Sequence, residues 1–224
     1  KQIKKIKHFI VLSKFSKKQF EKNGISRNSL NLKQNFLENK NSNIKKNHKK
    51  RNIAIYVSRI SEDKGILTLL NAWKNINLHL KIFGDGPLYK DLKKLNKNNL
   101  ISFEGQRNLN IIDKNISNAK LLIFPSMLYE NMPITILQAF REKTLVVASN
   151  IGSMKEMIKD GYNGILFKHN DHKSLESKIR WILLNQKVCH KITKNAYKLF
   201  VKNYTQKLNY KILIKIYKKA INQN

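Results

Sequence analysis

Several polar residues stand where a short apolar run gives way to a helix-like one, and their types suit the handling of a phosphate ester. In "VSRISEDKG" the apolar run from Ile53 ends at Ser58, and Arg59 and Lys64 flank the turn that follows. A helix beginning near Asp63 would turn its unpaired N–H groups toward an anion, so two cations there can clamp a diphosphate. In so basic a chain they can equally be ordinary surface cations. In "LLIFPSMLYENMPITILQAF", Glu130 lies in a loop and Pro133 opens a helix, where its missing N–H costs nothing. The backbone N–H groups of Asn131, Met132 and Ile134 then point toward whatever sits over that helix start. Gln138 follows Glu130 by eight positions. It lies about a turn into the helix, so carboxylate and amide can face one ligand from different depths. The glycine-rich turn "FGDGP", with Gly84 and Gly86, follows another apolar run; alone, such a turn is ordinary chemistry.

The elements that must position these residues alternate regularly. Residues 53–58, 78–84, 101–105, 119–126, 144–149 and 164–167 are short runs rich in Ile, Val, Leu and Phe that mostly end at Gly, Pro or Ser, and they read as strands. Between them "KGILTLLNAWKNI", "GPLYKDLKKLNK", "NLNIIDKNISNA" and "ITILQAFREK" repeat apolar residues at helical spacing. The pattern predicts an α/β fold, a Rossmann-like parallel sheet with helices on both faces, with binding sites at the carboxyl ends of the strands. Pro87, Pro125 and Pro133 fall at strand-to-helix junctions, as do Gly65, Gly84, Gly86, Gly105 and Gly152.

The flanks differ. "HFIVLS" and "KFSKKQFEKNGI" read as one strand and one helix, too little for a domain, so residues 1–39 are expected to be the remnant of another one. Residues 40–51 form a lysine and asparagine run read as a basic linker, and 52–185 as the binding domain. Three helices are expected in the last part of the chain: "HKSLESKIRWILLN", then two more across 186–224, the last of them basic and amphipathic. Phe15, Phe20 and Trp73, at helical positions, are read as core.

Composition bounds the partners. The chain has 224 residues and one cysteine, Cys189, which excludes an internal disulfide framework and suits a reducing compartment. It shows no convincing signal peptide and no apolar run of about 20 residues, so the expectation is a soluble cytoplasmic protein. The formal charge of +31 invites a nucleic-acid reading, yet only six of the 45 cations are arginine and the lysines are scattered. No specific nucleic acid is expected. Abundant Lys, Asn and Ile fit compositional drift on solvated faces; if the charge has a role, an anionic membrane surface is its target. The six histidines show no metal-ligand spacing, and no metal or other cofactor is expected. Glu104 and Glu156 are read as a loop charge and a first-turn helix carboxylate rather than catalytic groups.

Taken in order, "SRISEDKG", "FGDGP", "FEGQ", "AKLLIFPSMLYENMPITILQAF" and "ASNIGSMKEMIKDGYNGILF" resemble the family-four (group 1) glycosyltransferases of the GT-B fold. The resemblance runs from about Arg51 to Asn185 and would make this the C-terminal, donor-binding half, with residues 1–39 the end of the acceptor domain. It implies a nucleotide-sugar donor and metal-independent transfer with retention to a glycan or lipid-linked acceptor. It assigns the diphosphate to Arg59, Lys64 and the helix start, the donor sugar and catalytic role to Glu130, and the ribose to Gln138. Gly84, Gly86, Gly152 and Ser153 would line donor-site loops, Ser153 standing where the family has a second glycine.

Two departures qualify the resemblance. The family has a glutamate at the position of Gln138, and an amide forgoes charge-assisted bonds, a loss of about 1–2 kcal/mol in donor affinity unless compensated. The resemblance also leaves most of the acceptor domain unaccounted for before Lys1, so the expectation is either a truncated enzyme or one half of a split one whose acceptor domain is a separate polypeptide. The alternatives are a degenerate nucleotide-sugar-binding domain without transfer, a basic nucleic-acid-binding protein and a nucleotide-sugar epimerase. The final helix either lies on the inner face of a membrane, as a peripheral contact, or packs across the two domains.

Overall fold

The computed structural model describes residues 6–39 and 52–222. The expected linker, residues 40–51, lies outside the described residues. An N-terminal piece comprises β1 (Phe9–Val11), α1 (Lys14–Lys22) and β2 (Leu30–Leu32). β1 and β2 pair in parallel, with Phe9 opposite Leu30. β2 has no counterpart in the sequence reading, because three residues flanked by polar ones carry almost no periodic signal.

The main body alternates strand and helix: β3 (Ile53–Val57), α2 (Ile66–Trp73), β4 (His79–Phe83), α3 (Tyr89–Leu95), β5 (Ile101–Gly105), α4 (Leu109–Asn118), β6 (Leu121–Phe124), α5 (Ile134–Arg141), β7 (Leu145–Ser149), α6 (Gly152–Met157) and β8 (Ile165–Phe167). Three helices follow: α7 (His172–Leu184), α8 (Gln186–Asn203) and α9 (Gln206–Ile221). The six strands form one parallel sheet in the order β5-β4-β3-β6-β7-β8. Strands buried on both faces need no alternation of polar and apolar residues, which is why β6 and β7 read as unbroken apolar runs.

Each face of the sheet has its own core. On one face Leu69 and Trp73 of α2 and Leu175 and Ile179 of α7 cover Tyr56, Leu80 and Val147. The Trp73 indole N–H is satisfied by the Leu78 carbonyl at 2.7 Å. On the other face Ile116 of α4, Leu137 and Phe140 of α5 and Phe200 of α8 cover Ile55, Leu122 and Val146. α9 returns to the N-terminal piece: Asn209 Nδ2 donates to the Gln34 carbonyl at 2.6 Å and Lys219 Nζ to the Asn28 carbonyl at 3.1 Å. Phe20 departs from its expected place in the core, since it is 48% exposed. The two-stranded N-terminal sheet is too small to cover both sides of α1, whereas Phe15 on the opposite side packs on Tyr129 with ring centroids 4.9 Å apart.

Candidate functional site

The strand order reverses between β3 and β6. From β3 the chain winds outward to β4 and β5, then crosses to β6 on the other side of β3 and continues to β7 and β8. Open parallel sheets bind ligands in the crevice that such a reversal opens beyond the carboxyl ends of the strands. The loops leaving β3 and β6 at that point are residues 58–65 and 125–133, and they carry the polar residues singled out from the sequence.

Gly65 lets these loops meet. It adopts φ +72, and a Cβ there would lie 2.0 Å from the Pro125 carbonyl oxygen, so only glycine fits. The Met127 N–H donates to the Asp63 carbonyl at 2.9 Å and joins the two loops a second time. Beneath them the Tyr56 hydroxyl lies 3.0 Å from the Arg59 carbonyl and 3.4 Å from that of Lys64. Burial, and to a smaller extent the charges of Asp63 and Glu130, push the Tyr56 phenol far above its ordinary range against a smaller opposing hydrogen bond from Ser58, so it remains a donor.

Across the crevice, Lys64 Nζ stands 2.7 Å from Glu130 Oε1, which also accepts a 2.7 Å hydrogen bond from Ser126 Oγ. The side chains of Lys64 and Glu130 are 20% and 18% exposed, open enough to meet a ligand and dry enough for the pair to be firmly held. Sequence reasoning missed Ser126, although it directly follows the Pro125 that ends the strand. Arg59, 61% exposed, is held within its own turn, 3.3 Å from Asp63 and 3.2 Å from Ser61. The hydrogen bond from Ser61 and the Arg59 charge hold the Asp63 carboxyl below its ordinary range.

At the start of α5, Pro133 is the N-cap and provides no side-chain cap. Among the described residues, the N–H groups of Asn131, Met132 and Ile134 donate to no acceptor, as is general for the first N–H groups of a helix. The Met132 carbonyl is taken by Asn35 Nδ2 at 3.0 Å, and Asn131 Oδ1 accepts from Ser16 Oγ at 3.3 Å, so the N-terminal piece grips the Glu130 loop. Gln138 is nearly buried, and its Nε2 donates to Asp113 Oδ1 of α4 at 2.8 Å.

Gly84 and Gly86 press the β4–α3 turn onto the β3–α2 turn, where a Cβ at Gly84 would meet the Ser58 carbonyl oxygen at 1.9 Å. Gly152 lies under Tyr129, and the Ser153 hydroxyl beside it is buried without a hydrogen-bond partner. Glu104 proves to be a strand residue of β5, bonded to Ser102 at 2.9 Å and 3.6 Å from Lys81, and not a loop charge. Glu156 is likewise not in the first turn of its helix: it lies near the end of α6, and its carboxylate accepts from the N–H groups of Lys14 and Phe15 at 3.0 and 2.9 Å. Among the described residues no three His, Cys, Asp or Glu side chains are grouped to hold a metal ion.

Residues 38–199 match the family model described as glycosyl transferases group 1. The chain belongs to that family. Among curated relatives, an uncharacterized glycosyltransferase of Methanocaldococcus jannaschii is 27% identical over 199 residues, 88% of this chain and 55% of that protein. The alpha-D-kanosaminyltransferase of Streptomyces kanamyceticus is 26% identical over 164 residues, 69% of this chain and 42% of the relative. The chain therefore spans about half the length of the curated relatives it matches. The Anabaena protein HepE in complex with UDP and glucose superimposes with a TM-score of 0.81 at 20% identity, over 96% of this chain and 63% of that one. The six-stranded sheet is thus the Rossmann-like unit of a GT-B glycosyltransferase fold, and the crevice between β3 and β6 lies at its switch point.

Proposed function

We propose that this chain is the donor-binding half of a retaining, metal-independent glycosyltransferase, in which the crevice between β3 and β6 holds a nucleotide-sugar. The reading rests above all on the 2.7 Å bridge between Lys64 and Glu130, which sets a cation and a carboxylate face to face at the switch point. In this reading the donor diphosphate lies against Lys64, Arg59 and the free N–H groups of Asn131, Met132 and Ile134. Glu130 contacts the donor sugar, and Gln138 contacts the ribose. In transfer the bond from the anomeric carbon to the diphosphate breaks, an acceptor hydroxyl oxygen bonds to that carbon, and the hydroxyl proton passes to the leaving group. Fixed positive charge at the diphosphate stabilises what develops there.

HepE was solved with UDP and glucose, which makes uridine donors the first to test. A thermal-shift panel of UDP-, GDP- and ADP-sugars is the direct experiment, because a ligand at 100 times its Kd adds about 2.7 kcal/mol to stability. A rise in melting temperature with one nucleotide series supports the reading; a rise with DNA or RNA and none with any nucleotide would sink it. A bound donor with no transfer to any glycan or lipid-linked acceptor would favour the binding-only alternative. The acceptor half would adjoin the β1–β2 sheet, in this polypeptide or another.

A peripheral membrane contact belongs to the same proposal. Lys17, Arg27, Lys215 and Lys219 line a cavity of about 530 Å³ between the N-terminal piece and α9, over Leu30, Leu32, Ile212 and Ile216, with no carboxylate in its wall. A cationic rim over an apolar floor suits the phosphate headgroup of an anionic lipid. No described helix is long and apolar enough to cross a membrane, so such a contact would lie on the bilayer surface. Co-sedimentation with anionic and neutral vesicles tests it: Lys215→Glu with Lys219→Glu should abolish anionic-vesicle binding, and an equal loss from reversing Lys90 and Lys94 on α3 would show diffuse charge instead.

A further inference from the structure

We infer that Asp113 is the positioning residue that makes Gln138 a working hydroxyl acceptor, so that α4 supplies the carboxylate which α5 lacks. The inference rests on the nucleotide-sugar reading above.

The geometry is specific. Asp113 Oδ1 takes the Gln138 amide nitrogen at 2.8 Å, and its Oδ2 takes Arg141 Nη2 at 2.9 Å. Arg141 is itself nearly buried and is fixed by Glu142 Oε1 at 3.1 Å and by the Glu38 carbonyl at 3.4 Å. An ionised carboxylate only accepts hydrogen bonds, so the amide facing it must present its NH2 group. The orientation of Gln138 is thereby decided by chemistry, where a lone amide could flip.

With Nε2 committed, Oε1 is what Gln138 has left. Gln138 is 7% exposed, and its Oε1 makes no hydrogen bond among the described residues. Its nearest neighbour one turn along α5 is Arg141, buried and already committed to Asp113 and Glu142. An acceptor oxygen in that setting suits a hydroxyl donor and repels phosphate, which selects the ribose diol from among the parts of a nucleotide-sugar. Had the amide faced the other way it would offer N–H, and the preference would reverse.

A simple change of Gln138→Glu therefore does not improve the site. The introduced carboxylate would stand about 3 Å from that of Asp113, and two like charges that close cannot both ionise comfortably. Moving the carboxylate as a pair, Asp113→Asn with Gln138→Glu, keeps one charge and one amide in contact and restores the acceptor.

The experiment measures the affinity of the full chain for UDP, GDP and ADP and for the 2′,3′-dideoxy form of each. The ratio of the two affinities reads the hydroxyl contact and is blind to general loosening of the fold. The wild type is expected to favour the ribose form. Asp113→Asn and Gln138→Ala should each reduce that ratio by about threefold to tenfold. Gln138→Glu alone should not raise it, and the paired exchange should recover most of it. If no nucleoside diphosphate binds the wild type, the donor-site reading itself fails. If one binds and the ratio is the same in wild type, Asp113→Asn and Gln138→Ala, or if Gln138→Glu alone raises it, the assignment to Asp113 is overturned.

Discussion

Lys64 and Glu130 are 66 positions apart in sequence, and the switch of strand order brings Nζ and Oε1 to 2.7 Å. The pair bridges the two loops that wall the crevice, and each partner restrains the other. Removing one side should thus have opposite consequences for an anionic ligand. On the proposed donor reading, Lys64→Ala takes away a cation and leaves a carboxylate where the diphosphate would lie, so nucleoside diphosphate affinity should fall about 10- to 100-fold. Glu130→Gln releases Lys64 from its carboxylate, so on the same reading affinity should hold or tighten while any sugar transfer falls. Calorimetric titration of both variants checks this; equal weakening in the two would mean that the pair is merely structural.

Gly65 tests the packing of the same two loops. Gly65→Ala places a methyl 2.0 Å from the Pro125 carbonyl oxygen, and backbone on both sides must shift to admit it. Gly161 has nearly the same φ of +71 but open space around it, so Gly161→Ala carries only the left-handed conformational cost, about 1–2 kcal/mol. Urea unfolding should show Gly65→Ala losing clearly more than Gly161→Ala. Equal losses would mean that the close approach of the loops is relaxed at little cost.

Part of this architecture is legible in local sequence pattern. β6 and β7, buried on both faces, are continuous apolar runs, and β3, β4, β5 and β8 are short apolar-rich runs, so these strands and the loops carrying Lys64 and Glu130 can be read from the chain alone. Their meeting cannot, because it depends on the direction in which β6 crosses past β3. The same limit explains Glu156, whose carboxylate looks local but serves a helix start 142 positions away. It explains Asp113 too, an ordinary charge on α4 until α5 packs beside it.

Tyr56 gives the site a pH dependence whose sign follows from its burial. Its phenol is raised well above the ordinary value of 10.0, so the folded chain keeps that proton when the unfolded chain has lost it. The contribution is fully present below about pH 10 and is lost as pH rises from there through the folded value. Tyr56→Phe should flatten part of the alkaline fall in stability and cost about 1–3 kcal/mol at neutral pH by leaving the Arg59 and Lys64 carbonyls short of a donor. Tyr204 and the Cys189 thiol, also raised by burial, keep part of the slope. Denaturant titrations at about pH 7 and about pH 10.5, on either side of the ordinary phenol value, measure both effects. An unchanged slope in the variant would show that Tyr56 ionises freely in the folded chain.

Glu156 joins the N-terminal piece to the main body through the N–H groups of Lys14 and Phe15, which are orphan donors at the start of α1. Ser13 caps the same helix from within, with its side chain accepting from the Ser16 N–H, so the helix has one local and one distant cap. Losing the distant one should cost about 1 kcal/mol, as cap removals do. Because Phe15 packs on Tyr129 directly before Glu130, the loss should also loosen the loop on which Glu130 sits. Glu156→Ala is therefore expected to speed hydrogen exchange at Lys14, Phe15 and the 125–133 loop together, and Glu156→Gln, which keeps one acceptor oxygen, to do so less. Faster exchange confined to α1 would show that the N-terminal piece rests on the 125–133 loop without steadying it.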